Sequence, residues 1–267
     1  MTGPIDCEST YLSVVSLRSL RMVMFIGELN GHEMRAGDIG NAYLLSKTSE
    51  KVCFVAGPEF GEWAGHTLII VKALYGLKSS GARYHEFWAD EMHNEGWFPS
   101  KADPDVWMHD NGDHYEYLAV WVDDLFYVGK DANAFCKLLD KKGYKLKGVG
   151  MPSYHLGGDF ERVKEPFEVL TWGSTTFVKK MFLKYEKMFG EPIGKSQIHA
   201  PLEPGDHPEL DESRLCDDKE QRQYMSMVGD MQWAVALGCM DISVATVALS
   251  GFRAHPRVGH LDRAKRV

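Results

Sequence analysis

Two adjacent carboxylates, Asp123 and Asp124, stand inside EYLAVWVDDLFYVG, residues 116–129. The surrounding run is apolar, alternates, and is rich in β-branched and aromatic residues, the pattern of two strands meeting at a tight turn. The aspartates are expected to form that turn. Two charges beside buried hydrophobics are costly, because each loses hydration and the two repel. A divalent cation held by hard oxygen ligands offsets that cost, and a hairpin tip presents two carboxylates to a metal-bound phosphate compactly. An ordinary Asp-Asp surface turn is the plain alternative. A third carboxylate, Asp38 in AGDIGNAYLL, follows an expected strand end, with Gly40 and Asn41 permitting a turn after it. Strands lying side by side would bring Asp38 to Asp123 and Asp124. Such a cluster is the minimal holder for two Mg²⁺ ions, with Mn²⁺ as an alternative. One ion lowers the pKa of an attacking 3′-hydroxyl and both steady the phosphate. The chemistry this predicts is template-directed polymerisation on a palm.

The elements that must position these residues are legible as periodicities. From Ser13 to Leu29 apolar residues recur at helical spacing, closed by Asn30-Gly31. Val52–Ala56 and Thr67–Lys72 read as short strands of a two-stranded projection, separated by the turn-rich GPEFGEWAG. KALYGLKSSGAR combines Gly76 and Gly81 with basic side chains ahead of a helix from about Ala82 to Asn94, a junction able to face phosphates. Ser100–Pro104 is a turn, with Asp103 and Asp105 expected to serve turn and capping chemistry, and Asp105–His109 a strand. Helices are predicted over Ala132–Lys142, Thr175–Phe189, Lys219–Leu237 and Asp241–Ala254, with a basic one from about Gly259. Tyr144–Arg162 reads as strand, turn and strand, and Ile198–Leu215 as a proline-rich loop.

The composition excludes other classes. The 267 residues are 44% hydrophobic and 25% charged, ordinary for a globular chain, and a formal net charge of -8 means any nucleic-acid surface must be local. Five scattered cysteines without a C-x-x-C argue against a disulfide framework and a structural zinc site. His32-Glu33 opens no H-E-x-x-H motif, because position 36 is Ala. The apolar stretch Val14–Leu29 carries Arg18, Arg21 and Glu28, which excludes a membrane span there.

The motifs DIGNAYL, KALYGLKSSGAR, SKADPDVW, WVDDLFYVG and the YHLGGDF segment occur in the order and spacing of the copia-type retrotransposon reverse transcriptases, and the sequence resembles that family from about Tyr11 to its last residue. The resemblance implies an RNA-dependent DNA polymerase of α+β class: a right-hand palm made of an antiparallel sheet with helices on one face, partial fingers, and a helical thumb-like C-terminal region. The subdomains it implies are 1–35 partial fingers with an N-terminal helix, 36–45 palm, 46–75 fingers projection, 76–165 palm, and 166–267 thumb and the start of the connection. Asp38, Asp123 and Asp124 become the catalytic, metal-binding carboxylates. Tyr43 falls where the family places the ring that crowds a ribose 2′-hydroxyl. Gly76 and Lys78 fall on the segment near template and incoming base, Trp121 beside the primer terminus, and Leu156 and Gly157 on the hairpin that supports the primer end. The implied partners are an RNA template, a DNA primer strand, deoxynucleoside triphosphates and the rest of a Pol polyprotein, including RNase H and integrase. The implied location is a cytoplasmic retrotransposon particle or the nucleus.

The sequence departs from the family where Trp121 stands in place of Tyr or Phe. The short run before Tyr11 and the close on RAKRV lead to the expectation of a fragment without the family's basic triphosphate-binding segment and its RNase H. A catalytically decayed fragment that folds and at most binds nucleic acid is the alternative from a different class. Residues 157–161, GGDFE, resemble the G-G-D-E-F hairpin of diguanylate cyclases, but Phe160 displaces the Glu and the other motifs stay unexplained.

Overall fold

The apolar spacing near the N-terminus becomes helix α1 (Leu17–Asn30) in the computed structural model, which describes residues 10–166, 168–192 and 200–267. The Ser16 side chain accepts from the Ser19 amide at one end of α1, and Gly31 closes the other in a left-handed conformation (φ 62). The chain divides into two compact units at Pro152–Ser153.

The first unit is built on a six-stranded antiparallel sheet. In chain order its elements are β1 (Glu33–Ile39), a 3-10 turn over Ala42–Leu45, the hairpin strands β2 (Cys53–Val55) and β3 (Thr67–Ile69), and α2 (Ser80–Asn94). Then come β4 (Phe98–Pro99), β5 (Val106–Asp110), β6 (Tyr115–Trp121), β7 (Asp124–Gly129), α3 (Ala132–Lys141) and β8 (Leu146–Gly150). The sheet order is β4-β5-β6-β7-β1-β8, while β2 and β3 form the expected separate projection. Strand β7 is buried from Leu125 to Gly129 without alternation, so both of its faces need cover. Leu125 and Tyr127 pack with Trp88 and Met92 of α2 and with Phe135 and Leu139 of α3. Val128 meets α1, where a Cβ on Gly27 would collide with Val128 and Met34. Helices therefore cover both faces, which corrects the expectation of helices on one face. Each fully buried side chain of this kind contributes roughly 1.5–3 kcal/mol.

In the second unit β9 (Tyr154–His155), β10 (Gly158–Val163) and β11 (Val169–Gly173) form a three-stranded sheet in the order β11-β10-β9. The helices are α4 (Thr175–Phe189), α5 (Asp218–Ala236), α6 (Ser243–Ser250) and α7 (Val258–Arg266). Helix α5 opens on a capping box of Asp217 and Glu220. Tyr224, Val228 and Met231 of α5 pack against Leu249 of α6 and Leu261 of α7. The unit boundary splits the expected palm segment 76–165, since 153–165 go with the second unit. The helix expected over Asp241–Ala254 is shorter, a 3-10 turn at Met240–Ile242 followed by α6. The expected loop Ile198–Leu215 begins outside the described residues, and its described part holds one 3-10 turn, Pro208–Leu210. Among the described residues no helix is long and apolar enough to cross a membrane.

Candidate active site

The central hairpin turns one residue earlier than its charges suggest. Trp121 pairs with Asp124 and Val120 with Leu125, which leaves Val122 and Asp123 as the two-residue turn and puts Asp124 inside β7. The expectation that both aspartates form the turn is corrected accordingly. Val122 sits at φ 58 while Asp123 does not take a positive φ, the arrangement of a II′ turn, whose first position favours Gly. A β-branched residue held there costs roughly 1–2 kcal/mol, a strain that persists only where the surroundings over-determine it.

Strand β1 delivers the third carboxylate. Asp38 is the direct cross-strand partner of Asp124, so the two side chains leave the same face, with Cβ atoms about 5 Å apart. The Ile39 amide donates to the Asp123 carbonyl at 2.8 Å and ties the end of β1 to the turn. On its other side Asp38 pairs with Lys147 of β8. One rung across three strands thus reads Asp124, Asp38, Lys147.

The electrostatics follow from this crowding. Burial, then the charges of Asp123 and Asp38, push the Asp124 carboxyl up to about 6. Asp123 is also raised, chiefly by burial and further by Asp38, against the opposing pull of its own backbone hydrogen bond and of Lys147. Three mutually repelling carboxylates fit a divalent cation by their donor chemistry. Among the described residues no group of three or more His, Cys, Asp or Glu side chains is arranged to hold a metal ion.

Aromatic rings border the carboxylates. Tyr43, in the 3-10 turn after β1, lies with its ring centroid 4.5 Å from that of Tyr75 and 5.8 Å from that of Tyr84. Burial and then the Asp123 charge raise the hydroxyl pKa of both Tyr43 and Tyr75. Gly76, at φ 99, makes the turn that carries Tyr75 ahead of α2. Lys78 exerts its charge on Glu50, which accepts from the Ser79 amide and hydroxyl at 2.8 and 2.6 Å. Trp121 stands at the end of β6 opposite Asp124. Leu156 and Gly157 belong to the second unit, in a positive-φ turn where a Cβ on Gly157 would strike the Trp233 indole.

Sequence reasoning misses two neighbours of the carboxylates. Tyr75 is 60% exposed beside Tyr43, and the signal for it is an aromatic residue immediately before a turn glycine. Lys147 is invisible in the sequence because its pairing with Asp38 depends on β8 adding beside β1, with a register shift between Ala36 and Asp38.

Residues 2–187 match the model of the reverse transcriptase (RNA-dependent DNA polymerase) family. The chain belongs to that family. Within it, the chain is a retrotransposon reverse transcriptase domain. It is 24% identical to the retrovirus-related Pol polyprotein from transposon RE1 of Arabidopsis thaliana, over 98% of this chain and 18% of that protein. It is 23% identical to the corresponding polyprotein from transposon TNT 1-94 of Nicotiana tabacum, over 98% of this chain and 20% of that protein. The polyprotein from transposon RE2 of Arabidopsis thaliana is also 23% identical, over 98% of this chain and 18% of its own length. The chain spans about a fifth of the length of these relatives.

Proposed function

We propose that this chain carries template-directed DNA synthesis on an RNA or DNA template, as part of the Pol polyprotein of a copia-type retrotransposon. The observation that carries the reading is the cross-strand pair Asp38–Asp124 with Asp123 on the adjoining turn. These carboxylates would hold Mg²⁺, which when bound lowers the pKa of a primer 3′-hydroxyl and neutralises charge on the phosphate under attack. The six-stranded sheet acts as palm, the β2–β3 projection as part of the fingers, and the helices of the second unit as thumb. Trp121, opposite Asp124, faces the primer end. Gly76 and Lys78 lie on the template side, and Leu156 and Gly157 support the primer.

Tyr43 limits the room at the incoming sugar, and Tyr75 packs against the Tyr43 ring. Tyr43→Ala is expected to raise ribonucleotide incorporation relative to deoxyribonucleotide by about 10-fold or more, a clash with a 2′-hydroxyl being relieved. Unchanged discrimination in a kinetic comparison of the two nucleotides would remove Tyr43 from the site.

The test of the whole reading is extension of a DNA primer on an RNA template with Mg²⁺, wild type beside Asp123→Asn. Extension by the wild type alone supports it. Binding of primer-template without extension by either protein would favour a decayed fragment.

A further inference from the structure

On the wall of a cavity that Val122 of the strained turn also lines lies a buried carboxylate, Asp105, that the polymerase reading does not use. Asp105 has a side chain only 2% exposed, and it precedes β5. Its Oδ1 lies 2.8 Å from His85 Nε2, whereas Oδ2 meets no hydrogen-bond partner among the described residues. His85, from α2, is therefore the side chain that compensates this buried charge. The same His85 nitrogen lies 3.4 Å from Ser13 Oγ, on the segment that precedes α1. Together with Tyr84, Trp88, Val120 and Val122 these three residues line a small cavity, with room for about one water.

The backbone connects this cluster to the hairpin tip. The Val120 amide donates to the Asp105 carbonyl at 2.9 Å, and the Val120 carbonyl accepts from the Val15 amide at 3.0 Å. The Ser16 amide in turn donates to Asp103 Oδ2, and Asp103 Oδ1 accepts from the Asp105 amide. Val120 stands two residues ahead of the strained Val122, so the strand that leads into the turn is held by Asp105 on one side and by the strap of residues 12–16 on the other. Both holders converge on His85.

We propose that His85 is a positioning residue for the carboxylate turn: through Asp105 and Ser13 it clamps the strand edge and strap that keep Val122 in its strained conformation and Asp123 in place. The catalytic part of this proposal rests on the polymerase reading; the clamp itself does not. The charge environment of His85 is defined by Asp105 and, on α2, Glu86, with Asp103 on the adjoining loop and Tyr84 and Trp88 on the cavity wall. The hydrogen bond to Asp105 raises the His85 pKa above its usual value, burial opposes the rise, and the charges of Asp105 and Glu86 add to it. A histidine raised on folding contributes stability that is fully present below its unfolded value near 6.5 and is lost as pH rises through its folded value. The clamp thus loosens on the alkaline side.

The experiment compares wild type, His85→Gln and His85→Leu by hydrogen exchange of individual amides and by primer extension. Gln retains an N–H donor for Asp105 and does not titrate. In His85→Leu the protection factors of the Val15 and Val120 amides are expected to fall at least 10-fold, with α3 amides unchanged. The kcat for extension should fall about 10-fold with nucleotide KM within 2-fold. His85→Gln should restore both, and should abolish the alkaline loss of Val15 and Val120 protection seen in wild type. Unchanged protection at Val15 and Val120 in His85→Leu, or a loss spread evenly over the unit, overturns the clamp. Should His85→Leu not fold, pH-independent protection at these two amides in wild type would overturn it equally. Altered protection with no extension by wild type leaves the clamp standing and counts against the polymerase reading instead.

Discussion

Two groups of aspartates in this protein meet opposite electrostatic fates. In the second unit Asp206 and Asp211 flank one guanidinium: Arg263 reaches Asp206 through Nε and Nη2 at 2.7 and 2.8 Å, and Asp211 through Nη1. The Arg263 hydrogen bond lowers the Asp206 pKa. Burial pushes Asp211 up, but Ser213 and Arg263 overcome it and hold the carboxyl at about 2. In the first unit Asp38, Asp123 and Asp124 converge on one another, and burial with mutual repulsion takes the Asp124 carboxyl to about 6. The Arg263 cluster is satisfied within the protein, since Asp206 is held bidentately and Asp211 through Nη1 and Ser213. The hairpin cluster instead keeps the Asp123 and Asp124 carboxyls raised, with Lys147 as the nearby cation, and perturbed values of this kind make it a candidate functional site.

The largest effect that would break this contrast is functional. Asp123→Asn should reduce primer extension by about 10³-fold, the several kcal/mol a bound cation contributes to charge stabilisation. The same variant should keep its melting temperature. Substantial extension by Asp123→Asn, or a large loss of melting temperature, would make the hairpin cluster structural after all.

The next effect is in stability and runs the other way. Arg263→Met leaves Asp206 and Asp211 facing each other without a cation, and it should destabilise the second unit by about 2 kcal/mol, moderated by the partial exposure of these side chains. Urea denaturation followed by the Trp233 signal measures it. Because the two aspartates then lack their partner, the loss should shrink as pH falls far enough to protonate them. A loss of the same size at acid pH would mean that Arg263 acts by packing its stem.

How much of this is legible in the sequence depends on how far each feature reaches along the chain. Alternation in 116–129 and the i, i+3, i+4 spacing before Asn30 are local, and they become β6, β7 and α1. The position of the turn is not legible, because two adjacent charges look like a tip, whereas the register Trp121–Asp124 comes from packing β7 on both faces. Strands β4 and β11 leave little trace: β4 has only two residues, and β11 follows closely on Pro166 and ends on Gly173. Asp103, expected to serve capping chemistry, does accept from the Ser16 amide ahead of α1. Asp105 carries the same expectation and is buried against His85 instead, a contact that only the docking of α2 beside β5 creates. Lys147 and Tyr75 are hidden for the same reason: their neighbours come from distant segments.

The smallest expected effect sharpens the contrast most, because it reads the hairpin charge without any substrate. The Asp124 pKa lies above the ordinary carboxylate value, so the folded chain binds more protons than the unfolded chain between about pH 4 and pH 6. Unfolding free energy then falls as pH rises through that window, the reverse of a salt-bridged aspartate such as Asp211. The ionised Asp124 is a net cost to the fold at neutral pH, and removing its charge recovers that cost. Asp124→Asn should therefore stabilise the metal-free protein at pH 7 by about 1 kcal/mol, the shift being discounted because the group is only partly buried. The gain should vanish below about pH 4, where wild type is protonated in both states. Added Mg²⁺ should narrow the difference from the other side, by stabilising wild type more than the variant. Thermal melts of the two proteins at pH 4 and pH 7, with EDTA and with added Mg²⁺, give all four differences. A variant less stable than wild type at pH 7 without metal would mean that Asp124 is paired within the protein, and the distinction between the two aspartate clusters would fail.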